Sequence, residues 1–450
     1  MLFNPRGALC AVATSIAVVL TAATGASAAG TDGVLIQHTD GSITVEHPNA
    51  QLSKLTGFAA KASRRKGVRF AEPNRLYAAA SSPGDPLFGD QWSLADDTVI
   101  GAGPAWDQTT GGDVTVAVID SGVDTTHPDL APNIWTNPRE VPGNGVDDDG
   151  NGYVDDTQGW NFVNNSPNAR DDNGHGTHVA GIIGAKGGNG IGVAGVAWNV
   201  KIMPVKVLDA TAVGSAATLA QGIRYAVASG AQVINLSVSG PGYSKAFEDA
   251  VQFASDNGVI VVGAAGNDGR SVDASPVYPA AFNAPLMLAV AATAPGGGLA
   301  SISNYGAGNV ELAAPGQDIV STAMGGGYER RTGTSMATPH VVGALVLLAA
   351  ARPDLGPVGW RDALLATARK GLPVSGGMIN MSGALQSVLG TSFKATLKRT
   401  GSSVKRSACS LRRAKAISAA IRKRERGNLY VRAQSSCTSS APTAVSAGSR

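Results

Sequence analysis

The 450-residue chain is long enough for one large domain with appendages, or for two to three ordinary domains. Its 58 glycines, 43% hydrophobic content and 5% aromatic content are typical of a compact α/β protein. The net charge of +3 is not evenly spread, because residues 391–450 hold fourteen Lys or Arg against one acid, whereas residues 1–390 hold 22 Lys or Arg against 32 Asp or Glu. A uniformly charged chain is excluded: the body is acidic and the tail is basic.

Residues 1–28 have the pattern of a secretory signal peptide, with Arg6, an apolar run over 8–23 and a small-residue cleavage site at 26–28. Cys10 would leave with this segment. Cys409 and Cys437 then remain, and one disulfide within the tail is the simplest pairing. Since no other segment is predicted to span a membrane, we expect a secreted, extracellular product, and a monomer.

Residues 29–80 form a short, moderately polar segment. Alternating patterns predict strands at 33–37 and 42–46, and a last strand falls within 64–77. An Ala- and Ser-rich linker follows, which is open to proteolysis. The segment therefore predicts a small α+β module with a cleavable end at 77–84.

From residue 85 onward, short apolar runs alternate with helical patterns. The runs predict buried strands at 114–120, 201–208, 232–238, 259–264, 286–291 and 309–313. The helical patterns cover 178–185, 218–228, 245–257, 335–351 and 358–368. This alternation predicts an α/β fold: a doubly wound, mostly parallel sheet with helices on both faces. Ligands bind such sheets beyond the carboxyl ends of the strands, where Asp120, Ser237 and Asn267 fall.

The segment 333–351 begins with small residues and continues as an apolar helix, which must be buried because no face of it is polar. Ser335 lies in its first turn, beside free backbone N–H groups and the positive end of the helix dipole. Such a serine is either a helix cap or a nucleophile, and in the second case the helix start would stabilise an oxyanion that forms beside it.

Three histidines, an aspartate and an asparagine bear on that choice. Asp120 ends a buried strand, where a carboxylate needs a specific partner, and it could orient His175. A zinc site at His175 and His178 is the alternative, although their spacing of three lacks an intervening Glu. His340 lies within the apolar helix, which is typical of a packing residue. Asn267 is either a turn residue or an amide donor to an oxyanion.

Four motifs together resemble the subtilisin-like serine proteases (subtilases). They are DSG at 120–122, HGTHVAG at 175–181, AGN at 265–267 and GTSMATPH at 333–340. The resemblance implies that Ser335 is the nucleophile, His175 the general base, Asp120 its orienting acid and Asn267 the oxyanion donor. It implies a catalytic domain at 81–389, an inhibitor-like propeptide at 29–80 that is shorter than usual, and a C-terminal extension at 390–450.

The resemblance also implies a binding cleft for an extended polypeptide. Ser237, Val238, Ser239 and Gly240 resemble the strand that lines the pocket for the residue before the scissile bond. Val213 and Gly214 resemble the opposing edge, and Val277 resembles the pocket floor.

Two calcium sites are candidates. Asp147, Asp149, Asn151 and Asp155 have spacings like an EF-hand loop, but Gln158 stands where the terminal Glu would be. A solvated acidic hairpin is the alternative. Asp85, Asp129 and Asn189 resemble the stabilising calcium site of the family. Calcium in either site would be structural rather than catalytic.

The function predicted from the sequence is therefore that of a secreted serine endopeptidase, made as a self-processed zymogen whose propeptide inhibits it. A catalytically silent binding protein on the same fold is the alternative, although all four catalytic positions carry competent residues. A serine-carboxyl peptidase is a second alternative, but it would need acidic residues where this chain has His175 and Asn267. The basic tail is either a binder of anionic surfaces or a removable extension.

Overall fold

The computed structural model describes residues 31–48, 54–75 and 82–390. The predicted signal peptide, most of the predicted cleavage region and the basic tail with Cys409 and Cys437 lie outside the described residues.

The N-terminal module is a three-stranded antiparallel sheet with one helix. It consists of β1 (Thr31–His38), β2 (Ile43–Glu46), α1 (Leu55–Ala62) and β3 (Val68–Arg75), in the strand order β2-β1-β3. Val34 and Ile36 of β1 are buried against Leu55 and Ala59 of α1. The three predicted strands are present, whereas α1 was not predicted.

The larger region contains the remaining helices and strands. They are, in chain order, α2 (Trp92–Ala95), α3 (Ala102–Trp106), β4 (Gly111–Asp120), β5 (Trp160–Asn161), α4 (His175–Gly184), β6 (Asn199–Lys206), α5 (Ala216–Ala228), β7 (Val233–Leu236), α6 (Lys245–Asp256), β8 (Ile260–Ala264), β9 (Met287–Thr293), β10 (Leu312–Pro315), β11 (Ile319–Ala323), β12 (Gly327–Arg331), α7 (Thr334–Ala351), α8 (Gly356–Thr367), β13 (Gly377–Met378) and α9 (Met381–Leu389).

Eight of these strands form one parallel sheet in the order β13-β10-β9-β8-β7-β4-β6-β5. From β4 the chain forms β5 and then β6 on one side, and afterwards β7, β8, β9, β10 and β13 on the other, so the connections change direction beside β4. In a doubly wound sheet this is where a binding crevice opens, beyond the carboxyl ends of the strands. The predicted fold class is confirmed, and the last residue of β4, Asp120, lies at this crevice.

The helices cover both faces of the sheet because alternate residues of the central strand point to opposite sides. Val116 and Val118 of β4 pack in the cluster that contains α4 and α7, whereas Ala117 and Ile119 pack in the cluster that contains α5 and α6. The central strand is thus apolar on both faces, as a buried parallel strand requires.

Helix α7 is the main core element and carries Ser335 at its start. Its length and composition would allow it to cross a membrane, contrary to the prediction that no other segment does, but 83% of it is buried. His340, within α7, is fully buried, and its ring nitrogens contact the Met336 carbonyl at 2.8 Å and Ser93 Oγ at 3.0 Å. Burial lowers the pKa of His340 to about 4, so this histidine is a neutral packing residue.

Candidate active site

Asp120 and His175 are joined directly. Asp120 is fully buried, and its Oδ1 accepts hydrogen bonds from His175 Nδ1 at 2.7 Å and from the Ser121 N–H at 2.7 Å. Because a carboxylate only accepts, the proton of a neutral His175 lies on Nδ1 and leaves Nε2 as the basic nitrogen. Asp120 thus selects the tautomer that a general base needs.

The electrostatic surroundings of His175 favour its protonated form. Burial alone would lower the pKa of His175, but the charge of Asp120 and its hydrogen bond outweigh burial, and the net pKa is raised above the usual 6.5. A positive charge on Arg331 opposes this rise and the charge of Asp171 adds to it.

Asp171 and Lys206 were not predicted from the sequence, and both hold the loops around this pair. Asp171 accepts hydrogen bonds from the backbone N–H groups of Asn173, Gly174 and Thr177, which fixes the entry to α4. An Asp four residues before His175 is a helix-start signal that could have indicated Asp171.

Lys206 is 1% exposed and holds the loop that follows Asp120. It donates to the carbonyls of Ser121 and Leu208 at 2.7 and 2.8 Å, and to Asp172 at 2.6 Å.

His178 does not share a metal site with His175. Its Nε2 contacts the carbonyls of Ile319 and Glu329 at 3.1 and 3.2 Å, and burial is the main cause that lowers its pKa to about 3. Within residues 31–48, 54–75 and 82–390, the acidic side chains that converge like metal ligands include no histidine. The zinc alternative therefore has no support from the geometry.

Ser335 is the second residue of α7 and faces the strand end at Ser237. Ser335 Oγ donates to the Ser237 carbonyl at 3.0 Å, and Ser237 Oγ donates in return to the Ser335 carbonyl at 2.9 Å. In the described hydrogen bonds Ser335 Oγ is therefore paired with Ser237 and not with His175. Contacts between a nucleophile and its base are often loose without substrate and tighten when it binds.

The side chain of Asn267 is oriented by Thr334, the residue before Ser335. Asn267 Oδ1 accepts from the Thr334 N–H at 2.8 Å and from Thr334 Oγ1 at 2.9 Å. These two hydrogen bonds occupy the amide oxygen, so Nδ2 is the donor that remains. The Asn267 side chain is exposed and lies at the start of α7. This orientation is the one that donation to an oxyanion would need.

A cavity of about 430 Å³ lies on one side of His175. Six of the seven predicted cleft residues line it: Ser237, Val238, Ser239, Gly240, Val213 and Gly214. Leu208, Leu219, Phe247 and Tyr278 add apolar surface to its wall. The cavity joins an extended backbone edge to an apolar pocket, as recognition of a peptide requires.

Val277 is the exception: it does not line this cavity, and its predicted place at the pocket floor stays a prediction. Val277 is 2% exposed and packs with Ala265 and Val272 in a separate core cluster. Tyr278 instead lines the cavity and pairs with Gly240 through backbone hydrogen bonds. Adjacent residues of an extended segment point to opposite sides, so Tyr278 faces the cavity and Val277 faces the core.

Comparisons with known proteins agree with this geometry. Residues 111–394 match the model of the subtilase family. The chain belongs to the subtilase family. The matched region is accordingly that of a serine-type endopeptidase, a hydrolase.

Individual relatives of this subtilase extend over most of the same region. A thermophilic serine proteinase from Bacillus sp. (strain AK1) is 41% identical over 63% of this chain and 63% of its own length. Thermitase from Thermoactinomyces vulgaris is 38% identical over 60% of this chain and 85% of its own length. The solved structure titled as proteases from Pseudoalteromonas arctica PAMC 21717 is 32% identical, has a TM-score of 0.58, and is matched over 68% of this chain and 99% of its own.

An acidic cluster of this subtilase lies in the loop between β4 and β5. Carboxylate oxygens of Glu140, Asp147 and Asp149 come within 4.8 Å of one another, and Glu140 is buried. Asp147 and Asp149 were predicted, whereas Glu140 was not, because it lies outside the EF-hand-like spacing. Three converging carboxylates are the type of oxygen ligand set that calcium takes.

The other two residues predicted for this cluster have different contacts. Asp155 accepts hydrogen bonds from the backbone N–H groups of residues 143–145, and so it closes that loop. Asn151 Nδ2 donates to Asp156, and its Oδ1 accepts from the Tyr153 N–H. Glu140 therefore belongs to the acidic cluster and Asp155 does not, and the calcium roles predicted for Asp155 and Asn151 stay predictions.

The second predicted group is brought together by the loop 188–193. Asp85 accepts from the N–H groups of residues 188–190, and Asn189 Nδ2 donates to Asp129 Oδ1 at 2.7 Å. Asp85 is 5% exposed and Asp129 is fully buried. Burial raises the pKa of Asp129 despite its hydrogen bonds, and neither carboxylate belongs to an ion pair in the described part of the chain. A nearby cation would offset the free-energy cost of burying these two carboxylates in their charged form.

Proposed function

We propose that this protein is a secreted endopeptidase that hydrolyses polypeptides through Asp120, His175 and Ser335. The observation that carries the proposal is the 2.7 Å contact between buried Asp120 and His175 at the sheet edge where α7 presents Ser335. Asp120 holds Nδ1 of the imidazole, so that Nε2 can take the proton of Ser335.

The reaction would follow from these positions. Ser335 Oγ attacks the carbonyl carbon of the scissile bond while His175 takes its proton, and the bond to the nitrogen then breaks as His175 returns that proton to the leaving amine. An acyl group remains on Ser335, and water, deprotonated by His175, releases it. Asn267 Nδ2 and the Ser335 N–H would donate to the oxyanion.

Substrate would bind as an added strand along residues 237–240, with the opposite edge supplied by Val213 and Gly214. The residues before the scissile bond would then enter the cavity of about 430 Å³. This placement would leave His175, which lines the cavity, beside the amine that departs.

The precursor organisation is part of the proposal. The module built from β1, β2, α1 and β3 would act as a propeptide that occupies the cleft until it is cut within 77–84. The segment 1–28 would direct export, and the basic residues after 390 would bind an anionic surface or be removed. The product would act as a monomer outside the cell.

Calcium would stabilise the fold without taking part in the chemistry. Glu140, Asp147 and Asp149 would hold one ion, and Asp85 with Asp129 and the loop at Asn189 would hold another. Bound calcium would neutralise these carboxylates, of which only Asp149 is paired with a basic side chain, Arg139 at 3.0 Å, in the described residues, and it would fix the two loops that carry them.

The pH dependence tests the role assigned to His175. The base must be neutral, and because its pKa is raised, the acidic limb of kcat/KM should have its midpoint above pH 6.5. Below that midpoint His175 is protonated and activity falls. The measurement is kcat/KM for a quenched peptide between pH 4 and pH 10. An acidic limb well below pH 6.5 would contradict the pairing of His175 with Asp120.

Removing calcium should lower the melting temperature. A ligand present at about 100 times its Kd stabilises a protein by roughly 2.7 kcal/mol, which corresponds to a shift on the order of 5 °C in a domain of this size. The measurement is thermal unfolding with calcium and with chelator.

Single substitutions in the acidic cluster test which carboxylates cause the calcium-dependent difference in melting temperature. Glu140→Gln and Asp147→Asn should reduce the difference between the two conditions. Asp148→Asn is the matched control, since Asp148 accepts from the Val141 N–H and Asn144 in the same loop but lies outside the acidic cluster. A melting temperature that is the same with calcium and with chelator would exclude both calcium sites.

A further inference from the structure

One cationic side chain lies next to the catalytic histidine and has no part in the mechanism above. Arg331 ends β12, four residues before Ser335. Its Nη2 is 3.0 Å from the position that a Cβ on Gly174 would occupy, and Gly174 is the residue before His175. The guanidinium therefore lies beside the start of α4, close to the base.

Arg331 lies beside the residue before His175 but does not line the peptide-binding cavity. The lining of that cavity includes His175 together with residues 212–214 and 237–240, but it includes neither Arg331 nor Gly174 nor Met324, whose side chain lies 3.7 Å from the same Gly174 position. Because His175 gives its proton to the leaving amine, the substrate residues after the scissile bond must pass beside His175 and outside the cavity. Because Arg331 lies beside the residue before His175, it is close to this path.

The guanidinium of Arg331 can still bind an acidic side chain. Its Nε and Nη2 both bind Oε1 of Glu329 at 2.8 Å, and its side chain is 28% exposed. In the described residues Nη1 has no acceptor, and a guanidinium stays charged and suits a carboxylate. The other carboxylates facing His175 are already engaged: Asp120 by His175 itself, and Asp171 by the start of α4.

We propose that Arg331 is a specificity-determining residue that favours Asp or Glu in the first two substrate positions after the scissile bond. The proposal rests on the proposed function, because it assumes the direction in which the peptide crosses His175. An acidic side chain there would bind Nη1, whereas a lysine would be repelled by Arg331.

The test is the hydrolysis of quenched peptides that differ only at these two positions, carrying Glu, Gln or Lys. The purified, processed protein should cleave the Glu peptides faster than the Lys peptides. Since a partly exposed ion pair contributes up to about 1 kcal/mol, Arg331→Gln should lower the Glu-to-Lys ratio of kcat/KM about fivefold, and Arg331→Glu should invert it. Glu329→Gln should raise the ratio, because it frees the guanidinium.

Arg330→Gln is the matched control. Arg330 is the preceding residue of β12 and points to the other side, where it pairs with Asp318 and Asp90. Its replacement should leave the Glu-to-Lys ratio unchanged. A ratio that is the same in the wild-type protein and in Arg331→Gln, or that falls equally in Arg330→Gln, would overturn the proposal.

A second readout separates a charge effect from a packing effect. The charged or titratable groups around His175 are Asp120, Asp171, His178 and Arg331. Loss of the Arg331 charge removes a repulsion against the imidazolium, so the acidic limb of kcat/KM should move to higher pH in Arg331→Gln and stay in place in Arg331→Lys. Failure of the wild-type protein to hydrolyse any peptide would instead contradict the proposed function, and with it the assignment of Arg331.

Discussion

Replacement of Ser335 by alanine is expected to lower kcat by about 10⁶, the size found when the corresponding serine of subtilisin is removed. Without Oγ no acyl-enzyme can form, and only the oxyanion donors and substrate binding remain. The same variant should stay uncut within 77–84, because processing would use the same nucleophile. Hydrolysis of a quenched peptide and the mass of the purified chain measure the two effects.

Ser301→Ala is the control for this experiment. Ser301 is an exposed serine in a turn away from the cavity, and its loss should change neither turnover nor processing. A processed and active Ser335→Ala protein would rule out Ser335 as the nucleophile.

Replacement of Asp120 by asparagine is expected to lower kcat on the order of 10⁴ while the fold persists. The amide would fill the same buried space, but it could donate to Nδ1 of His175 and so hold the wrong tautomer. It would also leave the imidazolium without its counter-charge. Because Asp120 raises the pKa of His175, the acidic limb of the remaining activity should move to lower pH.

Asp113→Asn is the matched control, since Asp113 is exposed at the opposite end of the same strand. Steady-state kinetics across pH, with the melting temperature as the measure of folding, would compare the two. Activity of Asp120→Asn within tenfold of the wild type would contradict the orienting role of Asp120.

Long apolar segments made most of the fold predictable. Strand β4 is buried on both faces and α7 is apolar all round, so neither could be mistaken for a surface element. The hairpin of β11 and β12 was missed because β12 is half-exposed and charged, without an apolar run or an alternating pattern. Helix α1 was missed because eight residues give too few turns for a clear period.

The residues of the active site could be predicted only in part from physical reasoning. Strand ends and a helix start indicated Asp120, Asn267 and Ser335, but their grouping depended on the family resemblance. The resemblance could not show which side of the backbone faces the cavity, so it did not indicate Tyr278, which lines the cavity. Sequence spacing also could not indicate Glu140, because the folding of its loop brings it to Asp147.

Labelling with a serine-directed phosphonate, followed by mass mapping of the modified peptide, tests the central claim most directly. The proposed function predicts one label per active molecule, on the peptide that contains Ser335, together with loss of hydrolysis. Ser335→Ala should take up no label. A label on another residue, or hydrolysis that continues unchanged in the fully labelled protein, would contradict the assignment of Ser335 as the nucleophile.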